Sequence, residues 1–163
     1  MNSEIIKLLQ KRGVTVDDIA DIVFTLQKPY HPDLQRDPCV ESVLAVLVKR
    51  EVQYALYTGI ALDMLAEQKL LEEPLQTILE TDESLYGVDE ILALSITNVY
   101  GSIGLTSFGY LDKEKIGIIA KLNDKKNGVH VFLDDLVAGI AAAASARIAH
   151  RSGKTVSKIQ DLD

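Results

Sequence analysis

Apolar residues along this chain recur mainly at every third or fourth position, the spacing that places them on one face of an α-helix. One such stripe follows Thr15, a residue type that favours helix N-caps, and consists of Ile19, Ile22, Val23 and Leu26. No stretch of the sequence alternates apolar and polar residues over several β-branched positions, as a half-buried strand would. The pattern therefore predicts an all-α fold, a multi-helix bundle.

Prolines, glycines and capping residues divide the first part of the sequence into predicted helices. A short helix is expected to end near Gly13, and a second helix begins after the Thr15 cap. The proline-rich segment 29–38 predicts a loop. Asp37 is expected to cap the following helix, with Pro38 at its first position, where the missing N–H costs nothing.

Helical spacing then continues from residue 39 to residue 71, with a bend expected at the charged residues 49–51. Further helices are predicted over 72–83, 88–100, 113–122 and 132–150. Three glycines predict a loop or irregular turns between the second and third of these: Gly101, Gly104 and Gly109. A polar loop is expected over 123–128, and the polar tail from Ser152 is expected to be frayed.

The last predicted helix is the most apolar part of the chain. From Leu136 to Ala146 it consists of alanine, glycine and aliphatic residues, with Ser145 as its only hydroxyl. A helix with almost no polar face is expected to run through the core. It is about half as long as the roughly 20 residues that a membrane span requires. The uncharged run 91–111 is longer, but serine, threonine, asparagine and glycine interrupt it, so we expect buried core there as well.

Composition places the chain among compact single domains. It has 163 residues, of which 47% are hydrophobic and 25% are charged, and we treat 1–163 as one domain. The single cysteine, Cys39, indicates a reducing compartment, and the start of the chain lacks the apolar core of a secretory signal, so we expect a cytoplasmic protein. A net charge of -7 argues against nucleic acid as a partner.

Two acidic pairs, Asp89–Glu90 and Asp134–Asp135, stand at the start of predicted helices. Adjacent helical residues point about 100° apart, so one carboxylate of each pair can face the bundle interior. Two such pairs could present several oxygens to Mg²⁺, with water completing an octahedral shell, as in hydrolytic metal sites. The alternative is structural, because acids in a first helical turn offset the helix dipole and satisfy free N–H groups. The apolar helix behind Asp134–Asp135 favours a cation there, since unpaired buried charge is costly.

The remaining polar residues predict ordinary structural roles. The three histidines lack metal-type spacing, and Cys39 has no partnered histidine in view. The glycines of 100–109 lack a P-loop lysine, and Glu80 and Glu83 match the ExxE of all-α nucleotide pyrophosphatases without the second half of that motif. Lysines of a short helix usually form a solvated face but can neutralise a phosphate. The three histidines are His31, His130 and His150, and the lysines are Lys113, Lys115 and Lys121.

Together the two acidic motifs resemble a known family. The segment NGVHVFLDDLVAGIAAAA resembles the carboxy-terminal motif of the phosphatidylglycerophosphatase A family, and GVDEILAL is similar to its upstream Asp-Glu helix. Between them, GYLDKEKIGIIAKLND is similar to the family's LDxxKP segment, which carries over Asp112 and Lys115. The resemblance covers roughly residues 87–150 and is strongest to the branch labelled low temperature requirement C, which lacks membrane spans.

The resemblance implies a Mg²⁺-dependent phosphatase that converts phosphatidylglycerophosphate to phosphatidylglycerol. By the same resemblance the metal-binding or catalytic carboxylates are Asp89, Glu90, Asp134 and Asp135. Asp112 would be a supporting acid, and Lys115 a cation that neutralises the phosphate. The substrate would be phosphatidylglycerophosphate or another phosphate ester, with peripheral contact at the inner face of the membrane.

A second hypothesis comes from a different functional class. The chain would be a non-catalytic helical protein that binds a ligand or partner, homodimeric through an apolar helix face, and the acidic pairs would be helix caps. A homo-oligomer is expected in both cases. The distance between Glu90 and Asp134 separates the two hypotheses, because a shared ion requires both helices to bring their carboxylates to one place.

Overall fold

The structure is a computed structural model that describes the backbone of residues 2–160 and the side chains of residues 3–101 and 103–151. Within that part of the chain there are nine α-helices and no β-strand, which confirms the predicted all-α fold. The helices are α1 (Asn2–Lys11), α2 (Val16–Gln27), α3 (Arg36–Leu47), α4 (Arg50–Glu67), α5 (Leu75–Thr81), α6 (Val88–Thr97), α7 (Ser102–Glu114), α8 (Ile118–Asn123) and α9 (Val131–Gln160). Short 3₁₀ turns follow α6 and α8.

Helix α9 forms the centre of the fold, as its composition predicts. It packs against α2, α3, α4, α6, α7 and α8, and every residue from 131 to 146 is buried. Its small side chains let the neighbouring backbones come close: a Cβ on Gly139 would lie 3.1 Å from the carbonyl oxygen of Ala93 in α6. On another side, the buried hydroxyl of Ser42 in α3 donates to the carbonyl of Ala144 at 2.8 Å.

Local signals in the first half of the chain are mostly confirmed. The hydroxyl of Thr15 accepts the N–H of Asp18 at 3.1 Å, and the Asp18 carboxylate accepts the N–H of Thr15 at 2.8 Å, a complete capping box. The bend expected at 49–51 is the break between α3 and α4. Asp37 does not cap α3. The helix begins at Arg36, with Gln35 at the N-cap position, and carries Asp37 in its first turn.

The glycine-rich segment 101–109 is the main error of the sequence prediction. It is not a loop but most of α7, and Gly104 lies inside the helix, where its missing Cβ allows Thr97 to approach. The predicted helix 113–122 is divided instead, because Lys115 and Gly117 adopt positive φ between α7 and α8. The tail expected to fray from Ser152 continues α9 as far as Gln160.

The uncharged run 91–111 is only partly buried. Its core members are Ala93, Ile96, Phe108 and Leu111, whereas Ile91, Val99, Ile103 and Leu105 are exposed. The expectation that the whole run is core is therefore wrong, because the run folds into two helices that each keep an outer face. Neither this run nor any helix within residues 2–160 has the length and apolarity of a membrane span.

Candidate acidic site

The two acidic pairs lie at the same end of the bundle, because α6 packs against α9 and the starts of both helices line one cavity. Asp89 and Glu90 occupy the first turn of α6, whereas Asp134 ends the first turn of α9 and Asp135 follows it. All four side chains line one polar cavity of about 200 Å³. Asp112 and Lys115, at the carboxyl end of α7, line the same cavity, so the six residues singled out in the sequence are brought together.

The Asp134–Asp135 pair is the most deeply buried part of the cavity, with 7% and 4% of the two residues exposed. Asp134 Oδ1 accepts the backbone N–H of Asp135 at 2.8 Å, and its Oδ2 lies 3.5 Å from Lys115 Nζ. Burial raises the pKa of Asp134 even though Lys115 opposes the change. Burial, the charge of Asp134 and a hydrogen bond to Asp89 raise the pKa of Asp135.

The contact between the Asp135 and Asp89 side chains brings two carboxyl groups together, and it is one of the causes that raise the pKa of Asp135. Two ionised carboxylates in contact would repel each other. Glu90 follows the same pattern, since burial and then the charges of Asp112 and Asp89 raise its pKa. The cavity therefore disfavours the ionised form of these carboxyl groups, and a bound cation would stabilise that form.

Lys115 is the positive charge that the cavity already contains. Its Nζ lies 3.5 Å from both Asp112 Oδ1 and Asp134 Oδ2. Burial alone would lower the pKa of Lys115, but Asp134, Asp112 and Asp135 raise it overall, so the ammonium form is secured. The backbone of Lys115 is left-handed, with φ +45°, and this ends α7 so that the side chain turns back to the cavity.

Four further polar residues line the cavity, and sequence reasoning assigned none of them to this site: Asp82, Glu83, Ser84 and Asn123. Asp82 follows α5 in a left-handed conformation, with φ +50°, and its charge contributes to the raised pKa of Asp134. In the sequence Asp82 and Glu83 stand at the end of a predicted acidic helix, and Glu83 otherwise figured only in an incomplete ExxE motif. A non-glycine residue that ends a helix with positive φ has no dependable sequence signature, apart from the tolerance of Asp and Asn for that conformation.

The donor set suits a hard divalent cation. Seven acidic side chains and one lysine line the cavity, and carboxylate oxygens are the ligands that Mg²⁺ takes in proteins. The ligand positions are not preformed, since no three acidic, histidine or cysteine side chains of the described residues stand ready to hold one ion. The chemistry of the residues therefore fits Mg²⁺, and side-chain rotation within the cavity would be needed to bind it.

The first turn of α9 receives a cap from another helix. The carboxylate of Asp63, in α4, accepts the N–H of Phe132 at 3.1 Å and that of Leu133 at 3.0 Å. Asp63 is fully buried, and burial raises its pKa to about 7 against the effect of these two hydrogen bonds. Asp63 did not figure among the sequence candidates.

Other sequence candidates lie outside the acidic cavity. His130 bonds Arg12 and the carbonyl of Asn127, in a cluster that also holds the Arg12–Glu67 ion pair. Cys39 is buried, and burial raises the pKa of its thiol, so it is not an activated nucleophile. The remaining ones are half-buried or exposed, and none lines the cavity: His31, Glu80, Lys113, Lys121 and His150.

Comparison with known proteins places this arrangement in a family. The chain matches the model of the family Phosphatidylglycerophosphatase A over residues 5–150. Two uncharacterized proteins of Bacillus subtilis (strain 168) are each 64% identical to it: YutG over 148 residues, 90% of this chain and 89% of its own length, and YpjQ over 143 residues, 88% and 81%.

Solved structures agree with the fold. The low temperature requirement C protein from Listeria monocytogenes superposes with a TM-score of 0.90 at 57% identity, covering 93% of this chain and 96% of that one. A protein of unknown function from Bacillus stearothermophilus gives the same TM-score and identity, covering 93% and 94%. By sequence and by structure, this chain belongs to the phosphatidylglycerophosphatase A family.

Proposed function

We propose that this protein is a Mg²⁺-dependent phosphatase that hydrolyses phosphatidylglycerophosphate, or a related phosphomonoester, to the alcohol and phosphate. The observation that carries the proposal is the convergence of the α6 and α9 acidic pairs on one cavity. Helix caps alone would not require α6 and α9 to bring their carboxyl groups together. Membership of the phosphatidylglycerophosphatase A family supports a phosphate ester as the substrate class.

The proposed roles follow from charge and position. Asp89, Glu90, Asp134 and Asp135 would hold Mg²⁺, which when bound supplies charge neutralisation and an activated water. Without a cation, these carboxylates would repel a phosphomonoester dianion. Lys115 would contact the phosphate oxygens, because its ammonium already lies among the carboxylates at the mouth of α9.

Asp112 would hold Lys115 in place, since the two side chains are 3.5 Å apart and three residues apart on α7. Burial, the charge of Asp134 and the contact with Asp89 raise the pKa of Asp135, so Asp135 would have to lose a proton before it could act as an anionic ligand.

A neighbouring cavity of about 390 Å³ provides room for the alcohol part of the substrate. It shares Asp82, Asn123 and Asp134 with the acidic cavity. Its remaining wall combines aliphatic side chains with polar and charged ones, the latter being Glu67, Lys69, Glu80, Lys125 and His130. A polar alcohol such as a glycerol derivative fits this mixture better than an acyl chain does.

Contact with a membrane is part of the proposal, because a lipid substrate stays in the bilayer. Leu85, Val88 and Ile91 lie beside Asp89 and Glu90, and 91%, 46% and 67% of them are exposed. The net charge of -7 gives no attraction to anionic lipid, so binding would depend on these aliphatic side chains. Sedimentation with phosphatidylglycerol vesicles, with and without Mg²⁺, tests this. Leu85→Ser should weaken binding and Leu70→Ser, at an exposed leucine elsewhere, should not.

The activity itself is tested by phosphate release from phosphatidylglycerophosphate in the presence of Mg²⁺. Asp134→Asn and Asp135→Asn are expected to lower kcat by about 100-fold or more, while Glu114→Gln, an exposed acid on α7 outside the cavity, should keep it. EDTA should abolish the wild-type activity. If both asparagine variants are folded by circular dichroism and still release phosphate at the wild-type rate, the proposal is refuted.

The competing hypothesis is a non-catalytic homodimer that retains the acidic site. The exposed aliphatic residues of α6, α7 and the 3₁₀ turn between them favour it, since a second copy could cover them: Ile91, Val99, Ile103 and Leu105. Light scattering on the purified protein, together with the phosphatase assay, separates the two. Mn²⁺ serves as a probe for the Mg²⁺ site. A dimer that is inactive on every phosphomonoester tried and binds no Mn²⁺ would support the competing hypothesis.

A further inference from the structure

One face of α4 forms the seat for the first turn of α9. Gly59 and Asp63 are four residues apart, so they lie on the same side of α4. At Gly59 a Cβ would lie 2.9 Å from the Cβ of Phe132, which means that only glycine lets α9 come this close. One turn further along, Asp63 meets the α9 backbone directly.

The contact at Asp63 is a helix cap delivered from a distant part of the chain. A first helical turn has N–H groups without partners in the helix, and usually a local Ser, Thr or Asp accepts one of them. Here both carboxylate oxygens of Asp63 are used, one for Phe132 and one for Leu133, which follow it by 69 and 70 residues. Two separate bonds fix the rotation of α9 about its axis as well as its height.

The residues fixed in this way directly precede the acidic pair. Asp134 is the next residue after Leu133, and in a helix the direction of its side chain is set by the backbone of that turn. Helix α4 also packs against α6, which carries Asp89 and Glu90. The α4 face is therefore a common support for both acidic pairs, although none of its residues lines the cavity.

We propose that Asp63 is a positioning residue of the acidic site: from α4 it holds the first turn of α9 so that Asp134 and Asp135 meet the carboxylates of α6. The expected effect of Asp63 on metal binding rests on the proposed function, whereas its effect on the geometry of Asp134 and Asp135 does not. Asp63→Asn keeps the size of the side chain but leaves one oxygen acceptor for two N–H groups.

The test compares Asp63→Asn with Ser42→Ala. Ser42 also donates a buried hydrogen bond to α9, but at Ala144, ten residues beyond Asp134. Mn²⁺ affinity is measured at a temperature at which both variants are folded. We expect Asp63→Asn to bind Mn²⁺ about tenfold or more weakly and Ser42→Ala to stay within about twofold of wild type, as for residues that orient metal ligands. Unchanged affinity in Asp63→Asn would overturn the proposal.

Two NMR measurements keep the test decisive. In Asp63→Asn, the side-chain carboxyl ¹³C shifts of Asp134 and Asp135 should move, whereas Ser42→Ala should leave them in place. If wild type binds no Mn²⁺, the proposed metal site fails, and these shifts alone decide the positioning role. If Asp63→Asn does not fold, amide exchange in wild type replaces it: protection of Phe132 and Leu133 supports the cap, and exchange as fast as in an open first turn overturns it.

Discussion

Without a metal ion, raising the pH from 5 to 8 is expected to lower the free energy of unfolding, and Asp63 has a measurable share in this. The folded state raises the pKa of Asp63 from 3.8 to about 7. Between these values the folded protein keeps the proton and the unfolded chain has lost it, so stability falls as the pH rises. At about 1.36 kcal/mol per pKa unit, the contribution of Asp63 is about 3 kcal/mol at pH 5 and close to zero at pH 8. The difference, about 3 kcal/mol, is large against a typical total of about 5–15 kcal/mol.

Other groups also titrate over this range, so the prediction is made as a difference between two proteins. Asp134 and Asp135 have raised pKa values and act in the same direction as Asp63. His130 acts in the opposite direction, because burial lowers its pKa and stability is lost as the pH falls below about 6.5.

Urea unfolding of wild type and Asp63→Asn at pH 5 and pH 8, both in EDTA, isolates the share of Asp63. Wild type should lose about 3 kcal/mol more than the variant between the two pH values, and Ser42→Ala should keep the wild-type dependence. Equal pH dependence in wild type and Asp63→Asn would refute the reasoning, since it would mean that Asp63 ionises in the folded state as it does in water.

Three further changes test other parts of the structure. Gly128→Ala should lower the free energy of unfolding by about 2 kcal/mol, because Gly128 has φ +109° and a Cβ there would overlap the Glu67 carboxylate; an unchanged urea midpoint would contradict this. Thr15→Ala removes the capping-box hydroxyl and should cost about 1 kcal/mol by the same measurement, and a cost near zero would show that the cap adds nothing. Lys115→Met removes the ammonium beside Asp134; it should bind Mn²⁺ more tightly in calorimetry and lower kcat for phosphate release, and weaker binding would contradict the assigned role.

The acidic pairs were accessible to sequence reasoning because each stands at the start of a helix, and helix starts are marked locally. The sequence could not show that α6 and α9 run side by side with their N-termini at the same end. That arrangement depends on close packing between Gly139 and Ala93, two small residues that are unremarkable in the sequence. The same kind of contact explains the error over α7, where Gly104 serves close approach inside a helix and not a turn.

Asp63 shows the limit of local patterns most clearly. Its two hydrogen-bond partners follow it by 69 and 70 residues, so no motif near it announces the cap. One signal was available: Asp63 continues the buried stripe formed by Val52, Leu56 and Ile60 on α4. A carboxylate on such a stripe needs a partner in the core, although the sequence does not say which one.

The central position of α9 has a consequence for how the protein is made. Ribosomes deliver the chain from its amino end, and α9 is the last helix that the structure describes. Six earlier helices contact it, so they emerge before the surface on which they pack exists. Chains halted before residue 131 would expose the apolar faces of those helices and would lack Asp134 and Asp135, one of the two acidic pairs of the cavity. Folding of this domain is therefore expected to be completed only after α9 has left the ribosome.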